Sequence, residues 1–455
     1  MDKIVRIGCG AGFADDRSDG AVAIVAELAR LEGPRFLMFE TLAERTLALA
    51  QIARKKDPDA GAGTGVERFL RPVLADCLSS GIRIVSNFGA ANPRAAARIV
   101  RKLAAELGHP HIKIAVVEGD DVSDEFPLDE LIPREVMGTL LARRPEVISA
   151  NAYIGAFEIA AGLDLGADIV IAGRVADPAL ALAPLIHAFR WSEADLDHLA
   201  AGTLVGHLLE CGSQVSGGYF ADPGLKDVPG LDEVGYPIAE IAADGSFVVT
   251  KPQGTGGRVD FATVAEQLLY EIHDPAAYLT PDVVIDVSGV EIEELGPDRV
   301  RVTGVRGKPR TPTLKATVCI DGGYLAEGEV SYAGPNAAAR GRLAIEILQK
   351  RLARRLPELQ IRADLIGVAS IFNDNAGTTL DAAQATPSDV RVRVAAQSFS
   401  PNELDRFLDE VRALYCAGPA AGAGIRTSKT PRFWSASCLL ERDRIHPSVS
   451  LVEED

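Results

Sequence analysis

IVRIGCGAGFADDR, residues 4–17, is the stretch whose reading decides the fold. Residues 4–7 form a short apolar run that reads as a buried strand. A glycine loop follows, and an alanine-rich segment over 20–31 has helical periodicity. Strand, glycine loop, helix is the opening of a βαβ unit. Gly8, Gly10 and Gly12 are not spaced as GxGxxG, and no Lys-Ser/Thr closes the loop as a P-loop would. The loop therefore predicts a general ligand-facing turn, and the case for a dinucleotide is weak.

The same pattern recurs outward from this stretch. Strands are expected over 35–39, 82–86, 111–117 and 167–172, each followed by a polar or glycine-rich loop and a helical segment. In SNFGAANPRAAARIV, Pro93 at the first helical turn costs nothing and Asn92 before it is a normal cap. A further helix is expected over 131–141. These repeats predict an α/β fold, with a doubly wound, mostly parallel, Rossmann-like sheet domain over residues 1–228. From 229 the composition changes. Residues 281–325 alternate apolar and polar, as in an antiparallel sheet with one wet face. Helices over 337–356 and 401–415 and strands over 361–367 and 389–396 complete a second α+β domain, residues 229–455. A glycine-rich loop near 418–430, with Arg426 and Lys429, reads as a ligand lid or as a plain exposed linker.

The chain has 455 residues, is 47% hydrophobic and carries a formal net charge of −17. It can bury a large interior, and its overall field argues against nucleic acid or an anionic membrane as partner. Six cysteines at 9, 77, 211, 319, 416 and 438 include no close pair. That spacing fits reduced thiols rather than a zinc knuckle or a disulfide framework. No uncharged run approaches the roughly 18 apolar residues of a membrane helix, and no apolar signal segment precedes the first strand. The expectation is a soluble, cytoplasmic protein.

The richest chemistry lies in GHLLECGSQVSGG, residues 206–218. Helical spacing would place His207, Glu210, Cys211 and Gln214 on one face, ahead of a Gly217-Gly218 turn. General base, general acid, nucleophile and amide then share one wall. The same residues read equally well as a capped helix with a half-buried His and Cys. Elsewhere, Asn87 and Asn92 lie beyond a strand's C-terminal end, where open sheets place ligand-facing groups. Arg174 and Asp177 follow another strand; the arginine could clamp a carboxylate or phosphate, or pair with Asp177 alone. Lys251 with the amides of Thr255, Gly256 and Gly257 would make an anion cradle. Glu118, Asp120 and Asp121 could hold Mg²⁺, although no motif requires a metal or any other cofactor.

Taken together, IGCGAGFADDR, FETLAERTLALAQIARKKDP, RIVSNFGAANPRAAA, KIAVVEGDD, GADIVIAGRVADPALALAPLIH, GHLLECGSQVSGG and GYPIAEIAADGSFVVTKPQGTGG resemble the acyclic terpene utilisation AtuA family over nearly the whole chain. Asp15, and Glu158 in YIGAFEI, depart from the family pattern. The resemblance implies breakdown of acyclic terpenes through acyl-CoA intermediates. It also implies, at this length, the family core without a fused ferredoxin-like extension, and so a small companion protein. It assigns no catalytic residue. The expected function is a hydro-lyase or isomerase acting on a branched carboxylate or CoA thioester. Glu210 and His207 would be its acid–base pair, Cys211 an acyl-transfer alternative, and the 217–218 or 256–257 amides an enolate hole. A non-catalytic acyl-CoA-binding or scaffold subunit is the alternative. Expected partners are a small carboxylate or acyl-CoA, the companion protein and further copies of the chain.

Overall fold

The computed structural model describes residues 3–131 and 147–453. Most of the helix expected over 131–141 lies outside them. The strands in chain order are β1 Val5–Cys9, β2 Arg35–Phe39, β3 Arg83–Ser86, β4 Ile114–Glu118, β5 Val147–Ala152, β6 Ile169–Ala172, β7 Ile238–Ile241, β8 Phe247–Thr250 and β9 Tyr278–Leu279. Then come β10 Val284–Asp286, β11 Glu291–Gly296, β12 Arg299–Thr303, β13 Arg306–Lys308, β14 Thr313–Ala333, β15 Ile361–Ile366, β16 Asp389–Ser398, β17 Ala423–Glu441 and β18 Ser448–Leu451.

Ten of these form one mixed sheet, in the order β11-β12-β8-β7-β1-β2-β3-β6-β4-β18. The stretch β1-β2-β3-β6-β4 is parallel. β7, β8, β12 and β11 extend it antiparallel on one side and β18 on the other. Alternate side chains of the parallel strands feed two separate cores. Ile7, Met38, Val85, Val117 and Val170 enter one, with the helices Phe157–Asp164, Ala179–Phe189 and Leu196–Leu209. Leu37, Ile84, Val116 and Ile169 enter the other, with Gly20–Leu28 and Pro93–Glu106. Both sheet faces are thus covered, which is why these strands read as unbroken apolar runs.

The chain divides into compact units elsewhere than at residue 228. One comprises 1–319 with 435–455 and the other 320–434. Residues 238–303 fall in the larger unit because β7, β8, β11 and β12 complete its sheet by hydrogen bonding. Apart from a short helix Thr378–Ala382 between β15 and β16, the smaller unit runs strand–helix–strand–strand–helix–strand, with β15-β16-β14-β17 side by side, a split βαβ arrangement. In β16, Val390, Val392 and Val394 face the core, while Arg391 and Arg393 on the other face pair with Glu329 and Glu327. The expected glycine-rich lid is mostly strand: β17 begins at Ala423, and Lys429 is tied to Asp405.

Asp282 pins the start of the helix Phe157–Asp164. Both its carboxylate oxygens lie 3.0 Å from the Ala156 amide, and the absent side chain of Gly155 makes room for them. Burial pushes this carboxyl up to about 7. Its folded value therefore exceeds the ordinary ~3.9. Its stabilisation is complete below that ordinary value and is lost as pH rises through about 7. The Asp282→Asn variant keeps an acceptor for Ala156 and removes the titration. Melts between pH 4 and 8 should show wild-type stability declining relative to the variant; parallel profiles would contradict the assignment.

Candidate functional site

The helix Leu196–Leu209 is buried on all sides from Leu199 onward. Its glycines permit the approach. A side chain at Gly206 would meet the Pro178 carbonyl at 2.4 Å, so only glycine lets this helix lie against the 174–178 loop. Gly12 makes a similar contact, since a Cβ there would sit 2.4 Å from the Cys211 carbonyl carbon. The helix ends at Leu209, and a 3-10 turn, Gly212–Ser216, follows, entered through left-handed Gly212. The four expected residues do not share one wall. Glu210, Cys211 and Gln214 line a cavity of about 1200 Å³, while His207 does not.

His207 is 1% exposed, its ring edge-on to Tyr278 with centroids 5.4 Å apart. Its Nδ1 lies 3.4 Å from Glu210 Oε1, and burial lowers its pKa, so it is neutral and stands behind the carboxyl. Glu210 Oε2 is buried with no hydrogen-bond partner. Burial first, then Asp177 and Glu271, drive its pKa well above the ordinary carboxylate value. Burial and the adjacent Glu210 raise the Cys211 thiol as well. It is therefore not the thiolate that acyl transfer requires.

Around Glu210 the cavity is built from the carboxyl ends of the parallel strands. Glu40 follows β2; its Oε1 accepts from the Leu42 amide at 2.9 Å and from Asn87 Nδ2 at 2.8 Å. Asn87, just beyond β3, is fully buried, so it holds Glu40 and the Thr41 amide and does not face the cavity. Burial and Asp177 raise Glu40 well above the usual carboxylate range. Arg174 follows β6. Its guanidinium donates to the carbonyls of Leu42 and Val175 and to the Asp177 carboxylate. It also lies 4.6 Å from the centroid of the Tyr153 ring. The Tyr153 hydroxyl donates to Glu44 at 3.1 Å. Burial raises Glu44, but backbone and Tyr153 hydrogen bonds, Arg174 and Lys315 outweigh it, so its pKa is lowered. One cavity thus holds carboxyls pushed in opposite directions.

The other expected residues serve the fold. Asn92 caps the helix Pro93–Glu106, accepting from Ala95 and donating to Pro58 and Ala60. Lys251 is buried, ion-paired with Asp298 at 3.1 Å and bonded to the Thr255 carbonyl. The Thr255, Gly256 and Gly257 amides donate to Pro252, Glu233 and Pro229, so no anion cradle exists there. Gly218 lines the cavity and Gly217 does not; their amides donate to Ser213 and Gln214, which removes the enolate hole. Glu118 pairs with Arg94, Asp120 accepts from Arg174 N and Asn151, and Asp121 from Gln51 and Ser123. The three carboxylates therefore do not converge on an ion. Among the described residues no group of three or more His, Cys, Asp or Glu is arranged to hold a metal.

The site residues missed in the sequence are chiefly Glu40, Glu44, Tyr153, Tyr278 and Lys315. Glu40 had a usable signal, since it directly follows a strand at the same sheet edge as Asn87. Tyr278 and Lys315 come from distant segments and had none.

Fold and site together define a mixed α/β protein with an acid-rich cavity at the carboxyl edge of its main sheet. The chain belongs to the acyclic terpene utilisation family AtuA, whose family model matches residues 5–451. Membership implies a role in acyclic terpene utilisation. No curated protein and no solved structure matches the chain. Among the described residues, no helix is long and apolar enough to cross a membrane.

Proposed function

We propose that the protein is an acid–base catalyst of acyclic terpene breakdown. It would shift a proton beside a carbonyl of a branched acyl compound, as an isomerase or hydro-lyase does. The observation that carries this reading is the opposed environment of two carboxyls in one cavity, Glu210 held protonated and Glu44 held ionised. Such splitting assigns acid and base. Glu44 takes the proton from carbon. Glu210 gives its own to the carbonyl oxygen or to a departing hydroxyl, with the neutral His207 ring packed behind it. With the nearby glycine amides engaged, a neutral carboxyl replaces the usual amide hole as the donor to the developing oxyanion. Leu42, Tyr278, Leu279 and Leu314 supply apolar lining for the acyl chain.

The test is proton exchange. Branched acyl thioesters incubated with the protein in D₂O should gain deuterium at the carbon beside the carbonyl, seen by NMR. Saturable binding without any exchange or turnover would favour the scaffold reading instead.

A further inference from the structure

We infer that this cavity accepts a neutral carbonyl headgroup, an ester, thioester or amide, and discriminates against a free carboxylate on the same chain. This rests on the acid–base reading and narrows its substrate class. Six carboxyl side chains line the space: Asp16, Glu40, Glu44, Asp177, Glu210 and Glu271. Arg174, the one lining guanidinium among the described residues, is committed on Nε, Nη1 and Nη2 to Val175, Leu42 and Asp177. A bidentate fork is what a carboxylate needs from arginine, and here the protein already occupies it. The amides of Gly217, Gly218, Gly256 and Gly257 are likewise engaged by backbone carbonyls. An incoming carboxylate would meet the ionised Glu44 with no free guanidinium fork to receive it, and like charges in a partly desolvated site repel strongly.

A neutral carbonyl meets a different surface. Glu210 lines the cavity and its buried Oε2 is an orphan polar atom, and such atoms call for a partner. A carbonyl oxygen accepts from a protonated carboxyl without adding charge. Beyond the acids, Phe13, Tyr219, Leu279 and Leu439 line the cavity and are each more than half exposed, forming an apolar rim. Lys315 is also exposed there, its ammonium 4.7 Å from the centroid of the Tyr153 ring. The rim suits the uncharged part of a carrier or alcohol joined to the headgroup, and a free acid has no such part.

Binding of four ligands sharing one branched chain tests this, by calorimetry on the wild-type protein at pH 8: the primary amide, the N-acetylcysteamine thioester, the free carboxylate and the amine. The amide and thioester should bind at least about tenfold more tightly than the carboxylate. Equal affinity for the carboxylate overturns the inference, as does tightest binding of the amine, which would make this a cation site. Discrimination without deuterium exchange leaves the headgroup assignment standing and removes the catalytic reading. Exchange without discrimination does the reverse.

Discussion

Replacing Glu210 with glutamine lowers kcat by about 10²–10⁴-fold, the usual worth of a positioned general acid, with little change in KM. Glutamine matches the carboxyl in size and keeps an acceptor beside His207, but it has no acidic proton to give. The carboxyl is already held neutral by burial, Asp177 and Glu271, so the substitution removes no buried charge and thermal stability should hold. The pH profile separates a chemical role from a structural one. Glu210 has a raised pKa and acts protonated, so wild-type turnover should fall as pH rises through that elevated value. The limb should be missing in the variant. A variant with wild-type turnover would move the acid role to Glu40 or Asp177, the other raised carboxyls in the cavity.

Arg174→Met gives the largest expected loss of stability, about 3–5 kcal/mol, the range for removing one partner of a buried ion pair. Arg174 is 2% exposed, so solvent cannot replace what it supplies. Without it, the carbonyls of Leu42 and Val175 lose a charged donor and Asp177 loses its cation. Asp177 and Glu40 then share the site with no positive charge holding them apart. The deficit should widen as pH rises and these carboxyls are pressed to ionise. Arg174→Lys should recover part of the loss, because an ammonium restores charge but not the fork that reaches three acceptors. Urea denaturation at pH 6 and pH 8 measures both points. A Met variant within about 1 kcal/mol of wild type would show that the site relaxes around the lost cation.

Local pattern made the parallel core legible. The apolar runs at 36–39 and 169–172 read as strands covered on both faces, and the Asn92-Pro93 pair announces a helix start. The antiparallel additions were not legible as part of the same sheet. Nothing in the alternation of 291–303 says which edge β11 and β12 will join, because pairing over that distance is settled by packing. The site shows the same division. Glu210, Cys211 and Arg174, which line the cavity, were singled out from residue type and loop position. His207 does stand beside Glu210 as its spacing predicts, but the helix around it is buried, so its ring packs on Tyr278 and does not reach the cavity. Lys251 was misread because a lysine beside glycines looks the same whether it awaits an anion or holds its own loop together, and only Asp298 decides between them.

The cavity wall begins at Gly12 and is closed by Ser437, Cys438 and Leu439. During synthesis the cavity therefore lacks a wall until residues 437–439 have been made. Products of premature termination lack one wall, however well their first strands pair. A ligand filling this cavity would touch segments more than 400 residues apart at once, so protection from proteases on saturation should appear near residue 12 and near residues 437–439 together.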